Sequence, residues 1–551
     1  MISQSASEQV SAPRPSRRRK WILAFGILAI LIIAGLVVAG AVLSRRIEPY
    51  ARQETIQYLS RRFDSDVALQ VLHLRFPTTS PLRLLFTLGR GGSARLEGEG
   101  LSLRLKDRLD LAPLFVIQRF RCDVNLDSLL HPPAIVSHIV VDGMEIQIPP
   151  RAARPELATP QSAAQQNPSS AGVQIRKVTI RNAGLTLQPA DPRRIPLRFD
   201  IQSLELQSTA PGTPMKYEAS LTNAKPPGQI HATGTFGPWA AGEPGDTPVT
   251  GDYKFQQADL AVFAGIAGIL HSTGTFEGKL SALTARGQAS VPDFRLKMAG
   301  NPVPLSVRFT VLVDGTNGNT TLEPVNARLG STNFTTSGGI IKHERDQPRA
   351  ISLDMNMPDG DLRDLLRLAL KGAPFMEGRV GLKTRIDIPP LTRKVREKLI
   401  LDGRFEIRNG KFLHSTVQNQ IASLSQRAQG EHDNSESGNV VSHMAGAFHL
   451  QNGIMQFRTL SFGIPGADLD LAGDYSIESE ALDFGGALKL EATVSQMVTG
   501  WKKLVLRPVD RFFEKQGAGT FLRIRIDGTA NAPKFAVNVA GRYLEAPIPK
   551  R

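Results

Sequence analysis

From residue 65 onward, apolar and polar residues alternate along most of the chain. Leu101-Ser102-Leu103-Arg104-Leu105 and Glu145-Ile146-Gln147-Ile148 put an apolar side chain at every second position. Successive side chains of a strand point to opposite faces, so a period of two predicts strands with one apolar and one wet face. The same reading predicts strands at 173–175, 178–180, 185–187, 203–207, 306–313, 405–407, 467–471, 521–526 and 535–539. Asn317-Gly318, Asn409-Gly410 and Asn452-Gly453 punctuate them, as do Asp142-Gly143, Asp314-Gly315, Asp402-Gly403 and Asp527-Gly528. Asn and Asp before Gly accept the positive φ of type I′ turns, so these pairs predict hairpins and the whole predicts a long antiparallel meander.

Helical periodicity is confined to short pieces. Ile56, Leu59 and Phe63 share a face in a predicted amphipathic helix over 49–63. Three further faces are predicted: Leu260, Phe263, Ala264 and Ala267; Leu362, Leu365, Leu366 and Ala369; and Val417, Ile421, Leu424 and Ala428. Each is expected to cover a sheet edge. Residues 151–171, rich in Pro, Ala, Gln and Ser without a period, read as a flexible linker.

One segment departs from both patterns. Trp21 to Leu43 carries no charge and as a helix covers about 34 Å, enough for a bilayer core of roughly 30 Å. It is longer than the h-region of a cleaved signal peptide, so it is expected to be an anchor. Arg14, Arg17, Arg18, Arg19 and Lys20 precede it, and only Arg45 and Arg46 follow closely. The heavier basic flank predicts a single-pass protein with a cytoplasmic N-terminus and an exported bulk. The expected organisation is a cytoplasmic tail 1–20, an anchor 21–43, an N-terminal region 44–150, the linker 151–171 and a β region 172–551.

The charge and chemistry narrow the function. The formal net charge is +15, which suits an anionic membrane surface. The cations are scattered along strands rather than clustered with stacking aromatics, so no nucleic-acid partner is expected. Cys122 is the single cysteine, which leaves packing and backbone pairing to hold the fold. No G-x-S-x-G, P-loop, G-x-G-x-x-G or H-E-x-x-H occurs, so no catalytic residue, cofactor or metal is assigned. His443 and His449 would stand about 20 Å apart on a strand, too far to share a metal. Asp468 and Asp470 read as a solvated strand face.

The chain also echoes itself. The pattern G-x-A-x-x-P-x-F-x-(Leu/Val) occurs from Gly287 and again from Gly528, and Thr-Gly-Thr-Phe occurs at 233–236 and 273–276. Together with the anchor, the stretch Phe63-Asp64-Ser65-Asp66-Val67, and Ile139-Val140-Val141-Asp142-Gly143-Met144-Glu145, these features resemble the AsmA-like envelope proteins. Further matching elements are Gly278-Lys279-Leu280 leading to Pro292-Asp293-Phe294-Arg295-Leu296, Asp402-Gly403-Arg404-Phe405-Glu406-Ile407, and Gly519-Thr520-Phe521-Leu522 running into Ile526-Asp527-Gly528-Thr529. The resemblance spreads over most of 21–540. It implies a mostly β, single-pass protein of the bacterial inner membrane: one transmembrane helix, then a periplasmic, elongated antiparallel sheet curled into a trough, with a few short covering helices. It also implies phospholipid movement toward, and assembly of, the outer membrane. On the order of 20 to 25 strands at about 4.8 Å would make a trough only about 100 to 120 Å long.

Alternation by itself fits two arrangements. An apolar face left open can hold acyl chains at about 25 cal/mol per Å² buried, whereas two such faces packed together make an ordinary sandwich core. For the open arrangement the candidate lining residues are Leu204, Leu206, Phe294, Leu296, Phe535, Val537 and Val539. Trp501, Lys502, Lys503, Arg507 and Phe512 mix basic and aromatic character as interfacial segments do, and are candidates for membrane or partner contact. The expected ligands are phospholipids and the membrane. The alternative is a tethered periplasmic scaffold or assembly factor that binds other envelope proteins through sheet edges.

Overall fold

The alternating segments become strands in a computed structural model of the chain, which describes most of residues 49–545. The longer stretches outside the description are 1–48, 76–92, 107–111, 126–133, 149–172, 189–195, 209–212, 343–348, 430–439, 493–519 and 546–551. The 21–43 anchor, most of the 151–171 linker and the Trp501–Phe512 segment therefore lie outside the described residues. The chain divides into two compact units, residues 1–147 with 171–175, and residues 148–170 with 176–551.

In the first unit, Ser65–Ala68 and Val71–Arg75 pair antiparallel with the two ends of the long strand Ser93–Leu105. Phe115–Asn125 and then Ala134–Ile148 extend that sheet antiparallel, and Val173–Ile175 joins its far side in parallel. Leu69, Leu72, Leu101, Leu103 and Ile117 form the buried side. The described residues between 49 and 61 are helical, as the 3.6-residue period requires. Burial, and then the charge of Asp123, push the Cys122 thiol up to about 11, so at neutral pH it remains a protonated packing group.

The second unit is a meander. From Lys177–Leu187 to Arg542–Glu545, each strand of its main sheet pairs antiparallel with its predecessor and its successor. Among the described residues no sheet closes on itself. Among the described residues three α-helices interrupt the meander: α1 (Leu362–Ala369), α2 (Val395–Lys398) and α3 (Ser415–Ala428). Asp361 caps α1 by accepting from the Arg363 N–H, and Asp364 accepts from the Ser331 N–H and the Ser331 and Thr332 hydroxyls. So fixed, α1 sets Leu362 on a cluster of Met357, Met376, Val380 and Ile407. Ala428 of α3 packs with Ile464, Ala467 and Leu490.

Several sequence expectations change. Of the Asn-Gly and Asp-Gly pairs, 314–315 and 317–318 share one hairpin loop and 452–453 forms another. The rest lie inside strands. Gly143, Asn409 and Gly528 take φ of 71°, 53° and 92° inside their strands; at Asn409 the register shifts on both neighbouring strands, a β-bulge that needs a positive φ as much as a tight turn does. Gly403 is there for space: a Cβ would stand 2.8 Å from the Phe448 ring and 2.7 Å from the Lys383 carbonyl.

The helix expected at 260–267 is a single 3-10 turn, Leu260–Val262, followed by a short strand, Ile266–Ala267. Gly265 and Gly268, at φ 98° and 136°, end the helical path. Phe294 and Leu296 likewise leave the main sheet. The strand Ala282–Val291 ends just before Pro292, which has no N–H for a ladder, and Arg295–Leu296 pairs with Ile266–Ala267 in a separate two-stranded sheet.

Candidate functional site

Register decides which side chains share a face. In the second unit, Leu206 stands opposite Val178 and Tyr217, and Leu204 opposite Ile180 and Ala219. Farther along, Ile230 faces Phe255, Val307 faces Ala289, and Val311 faces Ala285. Leu353 faces Ile386, Leu469 faces Leu488, and Ile524 faces Val537. Opposed residues project to the same side, so one apolar face runs across the meander from Val178 to Val537.

Burial on that face is uneven. Tyr253, Phe255, Phe276, Val307, Phe309 and Val311, at mid-strand, are only half-buried. Small residues such as Ala219, Ala232 and Ser272, and Phe484, are buried at mid-strand, while most fully buried large side chains, Val249, Val291, Met357, Leu450 and Leu490, fall toward strand ends or under the helices. Two sheets meeting face to face would bury the mid-strand residues first.

Glycines and aromatic rings shape the same face. Gly234 and Gly251 are register partners, and a Cβ on Gly251 would meet the Tyr217 hydroxyl and the Phe276 ring. Phe309 lies against Gly287 and Phe405 against Gly446 in the same way. Rings laid over glycines make a continuous hydrocarbon floor, with centroids 6.3 Å apart for Phe405 and Phe448 and 5.8 Å for Phe457 and Phe484. Burial, and then the charge of Asp252, raise the Tyr217 hydroxyl to about 12. Burial also raises Tyr253.

Near α3 the apolar face deepens into a cavity of about 300 Å³. Phe462, Leu469, Ile524, Ile526, Phe535 and Val537 line it from the sheet, and Leu424 reaches it from α3. Leu424 and Phe535 remain 39% and 41% exposed. Ser425 ties α3 down by donating to the Pro465 carbonyl, and Gln418 donates to the Val440 carbonyl.

Phe535 and Val537 thus meet in one cavity. Leu204 and Leu206 share the face at the opposite end of the meander. Val539 continues the strand two residues beyond Val537, in register with Arg542. Leu296 stands apart in the small side sheet, and Phe294 just precedes that strand. Trp501, Lys502, Lys503, Arg507 and Phe512 lie outside the described residues. Ile524, Ile526 and Leu469 were legible in the alternation of 521–526 and 467–471, and Leu424 in the period of α3. Their convergence needed the fold.

The reverse face carries the charge. Arg286 pairs with Glu277 at 2.7 Å, Lys489 with Asp470 at 2.8 Å and His449 with Asp402 at 3.1 Å. Among the described residues no group of three or more His, Cys, Asp or Glu could hold a metal ion. No described helix is long and apolar enough to cross a membrane. The chain matches no family model, no curated protein and no solved structure.

Proposed function

We propose that this chain is a membrane-anchored periplasmic protein that binds phospholipid acyl chains along its apolar face. On this reading it aids lipid movement toward the outer membrane and outer-membrane assembly, like the AsmA-like proteins it resembles. The observation that carries the reading is an apolar face continuous in register yet half-exposed at mid-strand. Water against such a face is costly, and an acyl chain laid there removes apolar surface from water at about 0.8 kcal/mol per buried CH₂. Headgroups would remain in solvent at the open side. The process is passive shielding and uses no side-chain chemistry.

The 300 Å³ cavity beside α3 falls at the lower end of the roughly 300 to 1,000 Å³ usual for ligand sites. It fits part of one chain and is the first place to look for bound lipid. Residues 44–551, purified under native conditions and extracted into organic solvent, are expected to yield phospholipid near or above equimolar amounts by mass spectrometry. A lipid-free protein that co-purifies with other envelope proteins would favour the scaffold instead.

A further inference from the structure

A concavity of about 790 Å³ lies on the polar face. Its lining follows the register. On most of the strands it crosses, it is bounded by two polar residues that flank one residue of the apolar face: Lys254 and Gln256 flank Phe255, Ser306 and Arg308 flank Val307, and Asn326 and Arg328 flank Ala327. The flanking side chains point toward this face and the central one points away, so the groove runs across the strands between two side-chain rows.

One of these rows is long and free of acids. Lys254 faces Thr273, Thr273 faces Gln288, and Gln288 faces Arg308. The row continues through Asn326, Thr335 and Asn356 to Lys383 and Arg404. It also forms a wall of a second concavity, of about 630 Å³, where Lys383 and Arg404 stand. At about 4.8 Å per strand, Lys254 and Arg404 lie roughly 40 Å apart.

The charges along this row lack partners. Several cations elsewhere on the polar face pair with carboxylates, as Arg286 does with Glu277 and Lys489 with Asp470. Among the described residues, Lys254, Arg308, Lys383 and Arg404 form no ion pair, and no Asp or Glu lines the larger groove. Asn356, which lines both concavities, has a buried side-chain oxygen with no hydrogen-bond donor. A ligand completing the row therefore supplies anionic groups at intervals.

We propose that this groove binds a linear acidic polysaccharide along the Lys254–Arg404 row. Spaced sulfate, phosphate or carboxylate groups would meet the four cations, and sugar hydroxyls would meet Gln288, Asn326 and Asn356. The row lies on the face opposite the lipid site, so the two readings stand or fall separately.

The test uses the full chain and fluorescein-labelled dextran sulfate, with neutral dextran as control. The chain is expected to bind the sulfated polymer and not the neutral one. Lys254→Gln, Arg308→Gln, Lys383→Gln and Arg404→Gln combined should weaken binding about 10- to 100-fold. Removing the same charge elsewhere on the polar face, at Lys216, Arg458, Arg523 and Lys534, should change it less than twofold, with both variants keeping the parental circular dichroism.

Asn356→Leu removes no intramolecular hydrogen bond through that oxygen and no charge, yet should weaken binding severalfold. Any of three results would overturn the proposal: no binding of dextran sulfate, equal losses in the two charge variants, or a DNA oligomer of matched charge competing equally well.

Discussion

Placing aspartates at Ile524 and Val537 is expected to lower co-purified phospholipid at least tenfold while leaving the protein folded. These residues face each other across adjacent strands and line the cavity beside α3. An acyl chain lying there would have to desolvate both carboxylates, which costs several kcal/mol, and each 1.4 kcal/mol is a factor of ten in occupancy. Both side chains are half-exposed in the free protein, so water can hydrate the new charges and the sheet can keep its ladder.

Two controls make the result specific. Phe294→Asp, off the main sheet and just before the short strand Arg295–Leu296, is expected to leave the lipid content unchanged. Arg523→Asp, adjacent to Ile524 but on the reverse face, should do the same. If loss at Ile524 and Val537 came from general unfolding, thermal melting would fall in parallel with lipid. The expected outcome is lipid loss with a melting temperature close to that of the parent.

Met357→Ala is expected to have the opposite signature. Met357 is 1% exposed and lies at the centre of the cluster beneath α1. Truncation there removes buried methylenes and leaves a cavity, which costs about 2 to 5 kcal/mol. Leu366 and Leu365 of α1 rest against the same cluster, so α1 loosens with it. Leu206→Ala, on the half-buried part of the apolar face, should cost clearly less. Denaturant titration of each variant measures the difference. A Met357→Ala variant as stable as the parent would show that the helix and its cluster do not hold this part of the sheet.

Much of the architecture could be read from local pattern. Leu101 to Leu105 and Ser306 to Val313 alternate strictly and are strands. The apolar spacing of Leu362, Leu365, Leu366 and Ala369 makes α1, and that of Ile421 and Ala428 places α3. The failures share a cause. Asp142-Gly143, Asn409-Gly410 and Asp527-Gly528 advertise a positive φ, and the backbone used it inside long strands, at Asn409 in a bulge, instead of in a turn. Local sequence specifies the dihedral angle, while the neighbouring strand decides whether the chain turns or kinks.

The candidate site divides along the same line. Phe535 and Val537 could be placed on an apolar face from alternation, because face depends only on period. That Leu424, more than a hundred residues before Phe535 and Val537, lines the same cavity depends on how α3 lies across the sheet. Phe294 and Leu296 were misplaced because Phe-x-Leu reads as a strand whether it pairs in the main ladder or with Ile266–Ala267. The polar groove was illegible for a further reason. Its row takes a single residue from each strand, and only register aligns them.

The central claim is that the apolar face touches lipid, and photo-crosslinking in living cells tests it most directly. A benzophenone side chain is placed by turns at Phe255 and Phe309 on the apolar face, and at Thr273 and Ser306 on the polar face. Light is expected to attach phospholipid to the protein from the first two positions and not from the second two. Absence of lipid adducts at Phe255 and Phe309, or protein adducts there in their place, would contradict it.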